Sequence, residues 1–508
     1  MKKLPIGLNS FEKIRTENYV YVDKTKDIYN LVEGGSYYFL SRPRRFGKTL
    51  TIDTLKCLFE GKKELFEGLY IYDKWNWNET NPVIRIDFSV GLFSSKDSFL
   101  IRLNQILKEH QNIYGVECES KEFVTCFYEL ILKISQKYNK QVVLLIDEYD
   151  KPILDNIENP PLAEEIRDML SNFYGVIKGL DYYLRFVMLT GVSKFSKVNL
   201  FSKLNNLTDL TIHPAATTLC GYTEEELDIF FSEHLKGADR EKIKRWYNGY
   251  SWLGERVYNP YDILLFIDNG FRFRPYWFET GTPTFLMKLI KEKKYFIPNL
   301  EEVIAADDLL NSFDVYTMEI EALLWQTGYL TIKEEKQIAD MTYYLLGYPN
   351  LEVKRSLTNS IFKYLTSIQA DTKSRLQLTL QKCLEKGDVE CLIEEFKKLF
   401  SSIPYTNFTK NEIANYEGYY ASVIYSFLAS LGVDLIAEDI TNKGRIDLTV
   451  LIDNKAYIIE FKVGKEDALK QIEQRGYHQK YKGKEIYLIG LNFSEEEKNI
   501  TTYKWKRV

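Results

Sequence analysis

The 508 residues are 45% hydrophobic and 27% charged, too many for a single growing core and too apolar for extended disorder, so two to four folded domains are expected. A net charge of -5 excludes a chain that holds nucleic acid by overall basicity and leaves only local patches for that purpose. Six cysteines without a CxxC pair read as reduced thiols, and four histidines argue against His-rich metal sites and Ser-His hydrolases.

The N-terminal "MKKLPIGLNSFEKIRTEN" has no apolar core behind its two lysines, and no uninterrupted apolar run reaches about 18 residues. A cytoplasmic protein without a membrane segment is expected. Over roughly the first 215 residues, "SYYFLS", "NPVIRIDFS", "QVVLLIDEYD" and "YLRFVMLTGVS" are continuous apolar runs, as strands buried on both faces of a parallel sheet require. Amphipathic stretches such as "DSFLIRLNQILKEHQNIY" and "FVTCFYELILKISQKY" supply crossover helices, giving an α/β architecture.

From Gly221 helices dominate, beginning at the capping box of Thr223 and Glu226. Helical segments "EEVIAADDLLNSF" and "LEKGDVECLIEEFKKLFSSI" follow, interrupted by a strand-like pair at "GYLTIKEE" and "MTYYLLGYPN". A last unit starts near residue 405 with the helix "NEIANYEGYYASVIYSFLASLG" and continues in strands at 445–452, 456–463 and 485–491. The expected divisions are an α/β nucleotide-binding domain at 1–215, a helical lid at 216–290, a mainly helical connector at 291–404 and a compact α/β domain at 405–508.

The first candidate site is "YYFLSRPRRFGKTLTIDTLKCLF". Gly47, Lys48 and Thr49 match the second half of a phosphate-binding loop between a strand and a helix, where backbone N-H groups and the helix N-terminus meet phosphates. The first glycine is replaced by Arg42, followed by Pro43. Arg42, Arg44, Arg45 and Lys48 set four cations at one helix start, either a solvated loop or a multidentate phosphate clamp. About a hundred residues on, "VVLLIDEYD" ends in Asp147 and Glu148, which suit a Mg²⁺ ligand beside the Thr49 hydroxyl and a residue that orients attacking water. Binding of ATP is expected; hydrolysis stays open.

"LPIGLNSFEKIRTENYVYVDKTKDIYNLVEGGSYYFLSRPRRFGKTL", "VVLLIDEYDKPI", "LTGVSKFSKVNLFSKLNNLTDLT" and "WYNGYSW…VYNPYDIL" together resemble the bacterial AAA-ATPase-like family joined to a C-terminal PD-(D/E)XK nuclease-like domain. The resemblance covers most of residues 1–290 and resumes near 405. It implies the nucleotide roles of Lys48, Thr49, Asp147 and Glu148 and a sensor-like strand ending at Thr190, while the phosphate contacts expected of Arg44, Arg45 and Gly47 rest on the loop's own residues. Ser193 and Lys194 lie beyond, with a phosphate contact and a loop-structural role both open. ATPases of this type often place an arginine of one subunit at the next subunit's nucleotide, so a homo-oligomer is compatible.

The second candidate site is "GRIDLTVLIDNKAYIIEFKVGKEDALKQI". A two-residue loop at Asp453 and Asn454 pairs residue 447 with 460, and a loop shifted by one pairs it with 462. Either register sets Asp447 beside Glu460 and Lys462, which share a strand face. Two carboxylates and a lysine amid apolar residues are costly to bury without a partner or metal, and hard oxygen ligands suit Mg²⁺ or Mn²⁺. The pattern resembles the PD-(D/E)XK core, implying Asp447 and Glu460 as metal ligands, Lys462 as a catalytic cation, Glu417 as the helix carboxylate and Gln471 as the polar residue of the next helix. Ile446 stands where the motif has proline. Tyr477, His478 and Tyr481 could border DNA.

A purely structural hairpin bridged by Lys462 is the plainer alternative. Residues 411–508 carry 14 Lys or Arg against 15 Asp or Glu, so their overall charge does not favour a polyanion. Trp246, Tyr247 and Tyr250 read as packing more than base stacking, and "YKWKRV" reads as a frayed tail. The functional expectation is nucleotide-regulated, metal-dependent hydrolysis of nucleic acid, with DNA favoured; the alternative is a nucleotide-switched, non-catalytic interaction module.

Overall fold

The computed structural model describes residues 1–194, 204, 206–280, 284–307, 310, 319–404, 417–441, 444–464, 466–494 and 496–508. Two compact units emerge, Met1–Trp277 with Ile304–Asn350, and Phe278–Val303 with Leu351–Val508. The stretch expected as one connector, 291–404, therefore contributes to both. Its expected boundary at 405, the start of the long helix at 411–416, and most of "FSKVNLFSKLNN" lie outside the described residues.

In the first unit, β1 (Tyr37–Ser41), β2 (Val83–Asp87), β3 (Val142–Asp147), β4 (Leu184–Gly191) and β5 (Thr208–Asp209) form one sheet in the order β2-β3-β4-β1-β5. Every pairing is parallel. All six residues of β3 are fully buried, as its unbroken apolar run requires. Helices Lys96–Tyr114 and Phe123–Tyr138 provide crossovers, and helix Lys48–Phe59 follows β1 directly. The sheet thus delivers the ends of β1 and β3 to one edge, separated by β4, where ligands of open α/β sheets bind.

The capping box forms as read, Thr223 accepting from the Glu226 N-H while Glu226 accepts from that of Thr223. Tyr247 and Tyr250 are buried, and Trp246 packs against the same apolar cluster as Tyr247, consistent with packing. The strand pair is β9 (Thr331–Ile338) and β10 (Met341–Gly347), antiparallel. A correction applies beside it: "VIAA" of the expected helix is a strand, β8 (Val303–Ala306), because it pairs at the edge of β10.

The second unit carries a mixed sheet, β11 (Asp434–Thr441), β12 (Gly444–Ile452), β13 (Lys455–Val463), β14 (Glu485–Phe493) and β15 (Ile500–Arg507), in that order. Only β13 and β14 run parallel, joined through helix Ala468–Arg475. The hairpin of β12 and β13 has the two-residue loop, with Ile452 opposite Lys455 and Asp453 left-handed at φ 49°. Residues expected as a frayed tail form β15 instead; its side chains are mostly exposed, so it lacks the apolar alternation that marks a strand.

The thiol expectation is corrected at one pair. Cys383 and Cys391 form a disulfide, while Cys57, Cys118, Cys126 and Cys220 are free. Left-handed Gly387 turns helix Ala370–Lys386 into helix Val389–Ser401 and brings the two Cα atoms to 5.7 Å.

Candidate active sites

At the first site, Gly47 adopts φ 96°, a conformation that favours glycine, and caps helix Lys48–Phe59 without a side-chain bond. The helix N-terminus therefore keeps its N-H groups for an anion. Arg42 is not one of the phosphate cations. Its guanidinium is buried and donates to the carbonyls of Ser41 (2.8 Å), Thr211 (2.8 Å) and Ala216 (2.7 Å), and lies 4.1 Å from the Trp252 ring centre. Where a glycine loop relies on its own turn, this loop is pinned by an arginine. Trp277 Nε1 holds the Arg44 carbonyl at 3.1 Å, and the Phe46 carbonyl accepts from Gly221.

Arg44 and Arg45 are exposed, with Arg45 left-handed at φ 68° and its guanidinium 5.0 Å from the Tyr261 ring centre. Lys48 folds back over the loop, Nζ donating to the carbonyls of Arg42 (2.8 Å) and Pro43 (2.9 Å). Burial lowers its pKa while Glu148 and Asp147 pull it upward. Thr49 is half-buried in the first turn of the helix.

Asp147 is fully buried at the end of β3 and accepts from Thr190 Oγ1 at 2.6 Å, so the sensor-like strand does reach it. Its other oxygen, Oδ2, is buried without a hydrogen-bond donor among the described residues and lies 3.9 Å from Arg85 Nη2. Glu148 is held left-handed at φ 51°, a conformation that costs energy outside glycine and collects at functional sites. Burial raises its pKa, opposed by Lys48 and reinforced by Asp147, Asp150 and Asp87. Ser193 and Lys194 have structural partners: Ser193 donates to Asp150 through N-H and Oγ, both 2.6 Å, and Lys194 pairs with Asp209.

Sequence reasoning missed Arg85, whose Nη1 reaches Asp53 at 2.9 Å and whose Nη2 reaches Asp87 at 3.3 Å, tying the loop helix to the ends of β2 and β3. The signal lay in "VIRID", where a cation and an anion two residues apart share one face of an otherwise apolar strand.

At the second site the register runs Leu448 to Ile459, so its next step sets Asp447 against Glu460. Asp447 Oδ2 accepts from the Phe461 N-H at 2.8 Å. Lys462 Nζ lies 3.3 Å from Glu417 Oε1, at the start of helix Glu417–Leu431, and 3.8 Å from Glu460 Oε1. Gln471 Nε2 donates to Glu460 Oε1. All five predicted residues converge. Gly490, opposite Glu460 on β14, permits this: a Cβ there would stand 2.4 Å from the Leu469 backbone N, so only glycine lets the helix bearing Gln471 settle on the sheet.

Burial raises the pKa of both Asp447 and Glu460; for Glu460 the Asp447 charge adds to it, and Lys462 opposes the rise in each case. Burial depresses Lys462, but Glu417, Asp447 and Glu460 together outweigh it and leave its pKa raised. Tyr477 and Tyr481 belong to the apolar core and not to a DNA border, because Tyr481 packs there with its hydroxyl on Asp439. His478 is half-buried.

A divalent cation fits both places by donor chemistry. Glu460 Oε2, like Asp147 Oδ2, is a buried carboxylate oxygen without a hydrogen-bond donor among the described residues. No three His, Cys, Asp or Glu side chains gather into a ligand set among those residues. One or two carboxylates completed by water and phosphate oxygens suit Mg²⁺ better than a closed protein cage does.

Residues 5–201 match the sequence model of a family described as "Predicted AAA-ATPase", and residues 415–503 match that of the "PD-(D/E)XK nuclease superfamily". A protein of Azotobacter chroococcum mcd 1, "Uncharacterized protein in vnfD 5'region", is 46% identical over 513 residues, covering 99% of this chain and 98% of the relative. The chain is an AAA-ATPase-like protein with a C-terminal PD-(D/E)XK nuclease superfamily domain. In this AAA-ATPase-like protein, the loop at Lys48 and the carboxylates ending β3 fall within the first match, and Glu417, Asp447, Glu460, Lys462 and Gln471 within the second. No helix among its described residues is long and apolar enough to cross a membrane.

Proposed function

We propose that the protein binds ATP at Lys48, Thr49 and Asp147 and cleaves nucleic-acid phosphodiesters at Asp447, Glu460 and Lys462, with the first site regulating the second. The observation that carries the reading is Glu460: nearly inaccessible, one oxygen on Gln471, the other without a donor, between Asp447 and Lys462. A structural salt bridge explains Lys462 but not a buried carboxylate oxygen left unsatisfied, which costs about 1–3 kcal/mol or more.

Asp447 and Glu460 would hold Mg²⁺ or Mn²⁺, which supplies Lewis acidity and a more acidic bound water. Lys462, steadied by Glu417, stands ready to neutralise charge developing on the phosphate. Gln471 fixes the Glu460 carboxylate. At the first site, Lys48 Nζ, now on two loop carbonyls, would bind phosphate oxygens, Thr49 and Asp147 would hold the cation that accompanies ATP, and Thr190 fixes the Asp147 rotamer. Glu148, with its raised pKa, is suited to orient water and accept its proton.

The test is cleavage of linear DNA, supercoiled DNA and RNA by the purified chain with Mg²⁺ or Mn²⁺, with and without ATP, beside Glu460→Ala and Lys48→Ala. Cleavage abolished by Glu460→Ala and altered by ATP only when Lys48 is intact is the expected result. Equal cleavage with and without ATP would sink the regulation; no cleavage of any substrate would leave a nucleotide-switched binding module.

A further inference from the structure

A nuclease needs a surface that holds its polyanion, and the C-terminal segment, with 14 cations against 15 anions over 411–508, has no net positive charge to attract one. Of the N-terminal arginines, Arg42 is consumed inside its loop, and the exposed Arg44 and Arg45 belong to the nucleotide loop of the first site. A basic surface stands elsewhere on the first unit. Helix Arg240–Tyr247, "REKIKRWY", carries four cations and one anion, and "FRFRPY" at 271–276 carries two cations and no anion, in a chain whose net charge is -5.

The fold brings these segments together. The Trp246 and Phe273 rings lie 5.4 Å apart, Lys242 Nζ is 4.6 Å from the Phe273 ring centre, and the Tyr247 hydroxyl donates to the Arg274 carbonyl and accepts from the Arg274 N-H, both at 3.0 Å. Phe273 turns inward against the cluster holding Tyr247 and Phe266, which leaves Arg272 and Arg274 exposed on either side of it. On the helix, Ile243 and Tyr247 are buried while Lys242 and Lys244 are exposed. Arg240 is outside this set because Glu224 and Asp228 pair with it, and so is Lys244, which lies one helical turn on from Arg240, on the flank of the helix that faces Glu224.

We infer that Lys242, Arg272 and Arg274 form a docking surface for the phosphodiester backbone of nucleic acid, resting on the nuclease reading for its substrate class. Charge complementarity selects the occupant: three exposed cations on a rigid aromatic base match a regularly charged polymer, and the aromatics are engaged in packing, so binding is through phosphates and independent of sequence. The aromatic residues therefore serve as the mount of the cations and not as a stacking platform.

The test is fluorescence anisotropy of the full chain with a labelled 30-base-pair DNA duplex, an RNA duplex of the same sequence, and phosphatidylserine vesicles, in EDTA so that nothing is cut. The Lys242→Gln/Arg272→Gln/Arg274→Gln variant should bind nucleic acid at least about tenfold more weakly near 0.1 M salt. Its slope of log K against log salt should be shallower by about 2 to 3, as three lost phosphate contacts predict. Lys242→Gln alone should lose about one third of that slope and Arg272→Gln/Arg274→Gln about two thirds, which guards against misfolding of the triple variant, and the DNA and RNA arms say which backbone is preferred. Binding within twofold of the wild type at an unchanged slope, no binding by the wild type, or stronger binding to vesicles than to either duplex would overturn the inference. The triple variant should keep the wild-type rise in melting temperature with Mg²⁺, which reads the Glu460 site, so failure of that site and failure of docking are read separately.

Discussion

Glu460 shows what a site residue costs its own fold. Burial and the neighbouring Asp447 raise its pKa, so the native state binds a proton more tightly than the unfolded chain. The sign follows: between the ordinary carboxylate range near pH 4.3 and the raised native value, the native state holds more protons than the unfolded state, so stability falls as pH rises and levels off above that value. Glu460→Gln removes the charge but keeps the shape and the carbonyl that Gln471 Nε2 can still reach. In EDTA at pH 8 this variant should melt higher than the wild type, by roughly 1–3 °C, and the advantage should vanish near pH 4. Mg²⁺ should raise the wild type and leave the variant unmoved. A variant that melts lower at pH 8 in EDTA would show that Glu460 is a structural partner.

At the scale of elements, the phosphate loop is a joint effort of distant segments. Arg42 bonds three carbonyls, two of them more than 160 residues away, and bonds to a charged donor are each worth about 1.5–3 kcal/mol. Arg42→Lys lacks the planar fork and its full stacking on Trp252, so it should destabilise the first unit by roughly 2–4 kcal/mol and weaken binding of a fluorescent ATP analogue at least about tenfold. Unchanged melting and affinity would deny Arg42 its anchoring role. This also marks where the sequence was legible. Local signals sufficed for the four long parallel strands, for Gly47 to Thr49, and for the Asp453–Asn454 loop that sets Asp447 against Glu460, because burial on both faces, turn chemistry and strand period act over a few residues. Arg42 read as a phosphate cation because its carbonyl acceptors are backbone atoms with no signature in the sequence. β15 and β8 were hidden because an edge strand need not alternate, and Gly490 because a close helix-to-strand approach leaves only a glycine behind.

For the whole molecule, the discontinuous second unit makes a claim about what can fold alone. Helix Glu417–Leu431 is buried along nearly its entire length, against segments that precede it by 50 residues or more. The Phe427 and Phe362 rings lie 5.2 Å apart, Tyr419 donates to the Leu365 carbonyl at 3.2 Å, and Gln377 donates to Ser430 at 2.8 Å. Ser422 accepts from the Ile297 N-H, Tyr425 donates to Glu301, and Tyr457 of β13 donates to the Leu384 carbonyl at 2.5 Å. A fragment of residues 405–508, the domain that sequence boundaries suggest, strips those partners from a helix that carries Glu417 and leaves its apolar surface in water, at about 25 cal/mol for each Å² exposed. Residues 351–508 restore all but the 278–303 segment. The shorter fragment should therefore lack cooperative melting by circular dichroism and bind a dye for exposed apolar surface, whereas 351–508 should melt cooperatively, and adding 278–303 through a short linker should raise its midpoint further. Cooperative melting of 405–508 at the midpoint of 351–508 would show that the helices at 351–401 are accessories, and that the nuclease-like core is set by its sheet and two helices alone.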